Sequence, residues 1–269
     1  MAKKVLNEMS FLDHLEELRW LLVRSSAAIV IMGIVSYFFA DYIFSDLIFG
    51  PTDPSFITYR FFCEASHYLG FADSICITEL NFIIQNTQME GQVNIFVWVC
   101  ITAGFILAFP YILWELWKFI SPALYEKEKK NAKLFIFVAS ILFFFGVLFG
   151  YFVIVPMSVN FLATFSISSV VKNQFSIDSY VSMVKTAVIA CGLYFELPII
   201  IYFLTKLGLV GPNFLRKYRK YAVVIILIIA AIVTPPDVVS QITVAVPMMI
   251  IYEGCIWISA VVEKNKKER

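Results

Sequence analysis

Long apolar stretches alternate with short polar segments along the whole chain. Most of the apolar stretches have about the 20 residues that an α-helix needs to cross the hydrocarbon core of a bilayer. The fifth is shorter, and its roughly 14 residues would extend only about 21 Å as a helix. The pattern predicts six membrane-spanning helices, at residues 20–40, 93–117, 134–157, 181–204, 221–234 and 240–258.

The composition agrees with a membrane protein. Of the 269 residues, 60% are hydrophobic and 15% are charged, against roughly 25% charged in a typical soluble domain. The formal net charge of +1 provides no basic field for nucleic acid, so no nucleic-acid partner is expected. We therefore expect an all-α, polytopic membrane protein whose residues 1–269 form a single membrane domain.

Charged residues are distributed unevenly between the polar segments. Lysine and arginine collect before the first apolar stretch, between the second and third, between the fourth and fifth, and after the sixth. By the positive-inside rule both termini are cytoplasmic, and residues 41–92 form a long outer loop. The acidic residues before the first stretch are unlike a cleaved secretory signal, so this span is expected to remain as an anchor. A multi-pass protein of the bacterial cytoplasmic (inner) membrane is predicted.

Two of the five cysteines, Cys63 and Cys76, lie in the predicted outer loop. An outer location would allow a disulfide between them. Two free thiols are an equally acceptable interpretation of the sequence. The pair is therefore a possible disulfide.

Motifs for enzymatic chemistry are missing from the sequence. There is no glycine-rich phosphate loop, and His14 and His67 are the only histidines, so no zinc-binding histidine pair is present. The predicted spans also lack the serine–histidine combination or paired aspartates that an intramembrane protease would use. We expect no enzyme activity, no cofactor and no metal site.

The stretch "CGLYFELPII" (191–200) places Glu196 and Pro198 inside the fourth predicted span, where the proline is expected to bend or break the helix. Glu196 would lie roughly 12 Å from the inner end of that helix. Ionisable residues inside the membrane usually mark functional sites. The alternative interpretation is a packing glutamate that is protonated or paired. Gly146 and Gly150, in contrast, have the small-xxx-small spacing that is typical of close helix packing.

The chain before the first span has the pattern of an amphipathic helix with an acidic side. Glu16 and Glu17 lie on this side, although a helix resting on an anionic leaflet normally carries lysine and arginine there. A basic ligand would suit these acids. Alternatively, the acids are stabilised by the dipole at the helix N-terminus, and Glu16 pairs with Arg19 three residues later.

Four motifs occur along the chain, in the order "HLEELR" (14–19), "LAFPYILWELWKFISPALYEKEKK" (107–130), "FELP" (195–198) and "TPPDVVSQ" (234–241). With these motifs on a six-span chain with a cytoplasmic N-terminus, the sequence resembles the TatC family, the core subunits of the twin-arginine protein translocase. The resemblance covers residues 10 to 258. It implies a concave bundle in which helices five and six are short.

This resemblance also implies a function. The protein would bind twin-arginine signal peptides of folded precursors at the cytoplasmic face and recruit single-span TatA- and TatB-type subunits. Export would use the proton-motive force, and the protein would act within a homo-oligomeric complex.

The family's functional residues can be carried over to this sequence. The resemblance implies a signal-peptide site formed by Glu17, Arg19, Phe119, Leu124, Tyr125 and Glu128, and intramembrane polar or partner contacts at Glu196, Asp237 and Gln241. The main rival function is a proton-coupled small-solute transporter centred on Glu196, and a passive membrane scaffold is a third.

Overall fold

The structure is a computed structural model, and it describes residues 11–68, 76, 80, 82–121, 132–168, 172–234 and 238–267. Helices account for most of these residues. The α-helices are α1 (Phe11–Phe38), α2 (Ala40–Tyr42), α3 (Ile57–Tyr68), α4 (Gly91–Ile120), α5 (Ala132–Phe149), α6 (Val155–Thr164), α7 (Ile177–Tyr194), α8 (Leu197–Leu207), α9 (Pro212–Lys217), α10 (Arg219–Val233) and α11 (Val238–Lys267).

Shorter elements connect the helices. π-Helical turns cover Ile43–Ile48 and Gly150–Ile154, and a 3₁₀ turn covers Gly50–Thr52. The strands β1 (Ile83–Gln85) and β2 (Gln174–Ser176) form a parallel pair in which Ile84 faces Phe175. The predicted outer loop 41–92 therefore contains a helix, α3, and one of the strands, within an otherwise all-α fold.

Long apolar helical segments lie at five of the six predicted spans. Five helical segments in the described part of the chain are long and apolar enough to cross a membrane. The helix at the fifth predicted position, α10, has 15 residues, about 22 Å of helix, so a sixth crossing stays a prediction. The five segments are His14–Phe38, Gly91–Ile120, Lys133–Thr164, Ile177–Leu207 and Gln241–Asn265.

Two predicted boundaries were wrong. The third span was expected to end at residue 157, near Pro156, but the helical segment continues to Thr164. It continues because Pro156 lies in the first turn of α6, where a proline is tolerated, directly after a π-helical turn. The sixth helix is not short: α11 has 30 residues and extends through the polar tail as far as Lys267.

Contacts divide the chain into two compact units, Met1–Phe39 with Cys100–Ser140 and Ala40–Val99 with Ile141–Arg269. In the first unit, α1 and α4 approach each other closely. A Cβ atom added to Gly104 would lie 2.6 Å from both the Gly33 nitrogen and the Ile29 carbonyl oxygen. Glycine at this position is therefore required by the approach of the two helices.

In the second unit, α5 and α7 make a similar close contact. A Cβ atom on Gly146 would lie 2.6 Å from the Cys191 carbonyl oxygen and 2.9 Å from the Gly192 Cα. A Cβ atom on Gly150 would lie 2.8 Å from the Ala187 carbonyl oxygen. The packing role predicted for the two glycines is confirmed.

Helix α3, in the predicted outer segment (41–92), is hydrogen-bonded to the third apolar helical segment. The Tyr59 hydroxyl lies 2.9 Å from the Pro51 carbonyl oxygen and 3.1 Å from that of Pro156. Burial raises the pKa of the Tyr59 phenol, which keeps the hydroxyl protonated and able to donate. Helix α3 is thus a packed part of this unit.

The fourth span is interrupted where "FELP" predicted a disturbed helix. Helix α7 ends at Tyr194 and α8 begins at Leu197, with Pro198 in the first turn of α8. The Glu196 carbonyl accepts from the backbone nitrogens of Ile199 and Ile200, each at 3.0 Å. Glu196 therefore occupies the N-cap position of α8, at a helix break in the middle of an apolar segment.

Candidate functional site

A cavity of about 410 Å³ lies between the N-terminal half of α1 and the C-terminal end of α4. The α1 residues that line it form adjacent pairs that recur after three or four positions, which places them on one face of the helix. The same two helices approach each other closely at Gly33 and Gly104. The lining residues are Glu16, Glu17, Trp20, Leu21 and Arg24 from α1, and Glu115, Lys118 and Phe119 from α4.

Glu17 has an unusual environment in this cavity. Its Oε2 atom is buried and has no hydrogen-bond partner among the described residues. The adjacent Glu16 is exposed, and its Oε1 lies 3.6 Å from the guanidinium of Arg19. An unsatisfied buried carboxylate oxygen is costly, so the Glu17 carboxylate is the best-placed acceptor for a ligand carrying hydrogen-bond donors.

Aromatic rings form part of the cavity wall. Phe119 stacks on His14, with ring centroids 4.3 Å apart. The guanidinium groups of Arg19 and Arg24 lie over the Trp20 ring, at 5.6 Å and 5.9 Å from its centroid. The cavity thus combines acidic groups with ring faces that can accept a planar cation.

Three charged residues that the sequence interpretation missed are paired in the same cavity. Arg24 Nη1 donates to Glu115 Oε2 at 3.1 Å, and Lys118 Nζ donates to Glu115 Oε1 at 2.8 Å. The Glu115 side chain is 3% exposed. Glu115 and Arg24 lie inside predicted apolar spans, and this position was the signal that could have identified them.

Comparison with known proteins decides the family. A family model for the Sec-independent protein translocase protein (TatC) matches residues 13–247. The chain belongs to the TatC family. It is similar to TatC of Blattabacterium sp. subsp. Periplaneta americana (strain BPLAN), with 44% identity over 97% of this chain and 98% of that protein. TatC of Aquifex aeolicus (strain VF5) is 32% identical, over 97% of this chain and 98% of that protein.

Solved structures agree with this assignment. A crystal structure of a twin-arginine translocase receptor, TatC, matches with a TM-score of 0.73 and 31% identity, over 93% of this chain and 99% of that chain. As a TatC-family protein, this chain is a multi-pass membrane component of the Sec-independent protein translocase. It is a transport subunit rather than an enzyme.

The structure brings together part of the predicted TatC site. Glu17 and Phe119 line the same cavity, and Arg19 lies beside it, paired with Glu16. Leu124, Tyr125 and Glu128 lie outside the described residues, as does Asp237 of the second predicted group.

Glu196, in the second predicted group, is buried. The residue is 6% exposed, and its Oε1 atom has no hydrogen-bond partner within the described part of the chain. The preceding residue, Phe195, packs against the rings of Phe145 and Phe149. Glu196 therefore provides a second buried, unsatisfied carboxyl oxygen, at a helix break in an apolar segment.

Gln241 contacts a neighbouring helix. Its Nε2 atom donates to the Leu227 carbonyl oxygen of α10 at 3.1 Å. This bond uses one of the two hydrogens of the amide group. The partner contact predicted for Gln241 stays a prediction.

The cysteines of the outer segment are bonded to each other in the structure, as Cys63–Cys76. The His67 Nε2 atom lies 3.7 Å from Cys63 Sγ and 3.4 Å from Cys76 Sγ. Although three residues of metal-ligating types meet here, both sulfurs are used in the disulfide. In this state they are not the thiolates that bind a metal ion.

Proposed function

We propose that this TatC-family chain binds signal peptides carrying paired arginines at the cavity between α1 and α4. The observation that carries the proposal is the buried Glu17 Oε2 atom, which has no hydrogen-bond partner among the described residues. Glu17 lies in a cavity that Glu16 also lines. An incoming cation would supply the missing donor.

Arginine fits this cavity better than lysine does. A guanidinium group is planar and donates two parallel hydrogen bonds to a carboxylate, whereas an ammonium group cannot reproduce that geometry. Trp20 already has the guanidinium groups of Arg19 and Arg24 over its ring, so this wall of the cavity is suited to planar cations. In the proposed site Glu128 is the second acid, and Arg19, Leu124 and Tyr125 are its neighbours.

We also propose that the chain recruits single-span TatA- and TatB-type subunits through Glu196, Asp237 and Gln241. Support comes from the buried, unsatisfied carboxyl oxygen of Glu196, because unsatisfied polar atoms in a membrane favour contact with another polar helix. The 15-residue α10 would thin the bilayer at the adjoining surface.

The complex is proposed to be homo-oligomeric, to reside in the bacterial cytoplasmic membrane with both termini of this chain inside, and to use the proton-motive force. Five apolar helical segments and the distribution of basic residues support this location. The sequence has no nucleotide-binding loop, which agrees with transport driven by the membrane gradient.

An export assay tests the proposal. Cells in which this chain is the sole TatC-family protein would receive a folded reporter with a twin-arginine signal. We expect export with the wild-type chain, loss of export in Glu17→Gln with Glu128→Gln, and retention in Glu253→Gln. Glu253 is a half-exposed acid paired with Arg219, and it serves as the matched control. Solute flux through the purified chain alone, without export of the reporter, would instead support a transporter.

A further inference from the structure

The charged group formed by Arg24, Glu115 and Lys118 has no role in the proposed signal-peptide site, although it lines the same cavity. Each oxygen of the Glu115 carboxylate accepts from a different cation, Oε2 from Arg24 at 3.1 Å and Oε1 from Lys118 at 2.8 Å. Glu115 is almost fully buried, whereas about half of each cationic side chain is exposed. The acid is therefore fixed, and the two cations are directed towards it.

Arg24 shares one face of α1 with a second acid, Glu17. It follows Glu17 by seven residues on α1, which is close to two helical turns and about 10.5 Å along the axis. Both side chains therefore lie on the same face of the helix. Long side chains on a helix lean towards its N-terminus, so that an unrestrained Arg24 would lean towards Glu17.

We infer that Glu115 is a positioning residue for the proposed signal-peptide site. By pairing with Arg24 and Lys118, it prevents these cations from neutralising Glu17. The Glu17 carboxylate then remains available to the arginine of an incoming peptide. This inference rests on the proposed function, and Glu115 acts through Arg24 and Lys118 without touching the peptide.

The charges in the cavity favour this arrangement. With Glu115 present, its two bonds are charge-assisted, and both of its oxygens are satisfied. Without its charge, two cations would border a cavity whose remaining acids, among the residues that the structure describes, are Glu16 and Glu17. Arg24 would then compete with the peptide for Glu17, and both cations would repel an arginine side chain.

Peptide binding to the purified full-length chain tests this inference, with a synthetic twin-arginine signal peptide as the probe. We expect Glu115→Gln to lower the affinity by about tenfold or more, since it lets an internal cation take the charge-assisted bond. Adding Arg24→Gln should recover most of the loss, because it removes the competitor. Adding Lys118→Gln as well should bring the affinity within about threefold of wild type.

A purely structural role predicts the opposite order, since each further substitution in a packed ion group would weaken the fold more. Unchanged affinity in Glu115→Gln, or a loss that the double and triple variants do not recover, would overturn the inference. Arg24→Gln alone completes the double-mutant cycle. Glu253→Gln is the matched control, because it breaks the Arg219 ion pair elsewhere in the chain.

The same experiment separates this inference from the proposed function. If wild-type binding does not depend on Glu17, the proposed signal-peptide site itself is wrong. If binding depends on Glu17 and Glu115→Gln binds like wild type, only the positioning role of Glu115 fails. A thermal melt of each variant identifies any that do not fold, and the recovery in the multiple variants then decides the question.

Discussion

The Thr58 hydroxyl donates a 2.7 Å hydrogen bond to the carbonyl oxygen of Phe152. Phe152 precedes Pro156 by four residues, so this is the carbonyl that would accept the Pro156 N–H in an ordinary α-helix, and proline has none. A side chain of the outer segment therefore provides a donor at the place where the third span is disturbed. This contact joins two segments that are 94 residues apart.

Thr58→Val tests the value of that bond, since it removes the hydroxyl and keeps the shape. We expect the free energy of unfolding to fall by about 0.5–1.5 kcal/mol, the usual net contribution of a hydrogen bond. Thermal unfolding in detergent would measure it. Thr164→Val is the control, because the bonds of its hydroxyl to described residues stay within its own exposed helix turn. A loss of equal size there would contradict the role of Thr58.

Gly146→Ala should destabilise the contact between α5 and α7. The added methyl group would meet the Cys191 carbonyl oxygen at 2.6 Å, and overpacking of this kind typically costs about 1–3 kcal/mol. The matched control is Gly254→Ala, where no atom lies within 4 Å of the added Cβ. There alanine should be neutral or stabilising in the helix. Equal unfolding temperatures for the two variants would contradict the close packing.

The sequence predicted the elements that depend on local composition. The apolar runs located five helical segments, and "FELP" marked the break at Glu196, because hydropathy and proline act on their own segment. The end of the third span was misjudged, since a proline ends a helix only where the surrounding turns do not accommodate it. Here a π-helical turn accommodates Pro156, and the sequence carries no clear signal for such a turn.

Contacts between distant segments were harder to predict from the sequence. Arg24 and Glu115 are 91 residues apart, and nothing in either stretch shows that they meet. The pairing of β1 with β2 was not predictable either, because strands of three residues carry too little pattern to assign. Glu17 was assigned from the family resemblance, whereas its buried, unsatisfied oxygen became visible only in the structure.

The Cys63–Cys76 bond predicts a specific alkylation pattern. Without a reductant, mass spectrometry of the protein isolated from cells should find neither cysteine alkylated, and both should react after reduction. The buried Cys100, Cys191 and Cys255 are the internal controls, because their thiols are free in either case. Alkylation of Cys63 and Cys76 before reduction would contradict the bond and an oxidising, outer location of this segment.

Glu196→Ala should separate two activities. If Glu196 contacts a partner subunit, the variant should bind a twin-arginine peptide normally and fail to copurify with TatA- and TatB-type subunits. The physical reason is the loss of a polar contact inside the membrane, where such contacts contribute about 0.6–2 kcal/mol. Glu253→Gln controls for charge loss. Normal copurification would instead support a packing role for Glu196.

Direct peptide binding to the purified chain tests whether Glu17 receives an arginine of the signal peptide. Two peptides would be compared, one with the arginine pair and one with lysines in its place, each against wild type and Glu17→Gln. Because a charge-assisted bond contributes about 1.5–3 kcal/mol, we expect the wild type to prefer the arginine peptide by about tenfold or more. In Glu17→Gln this preference should be largely lost. An equal preference for arginine in the two proteins would show that Glu17 does not receive the arginine.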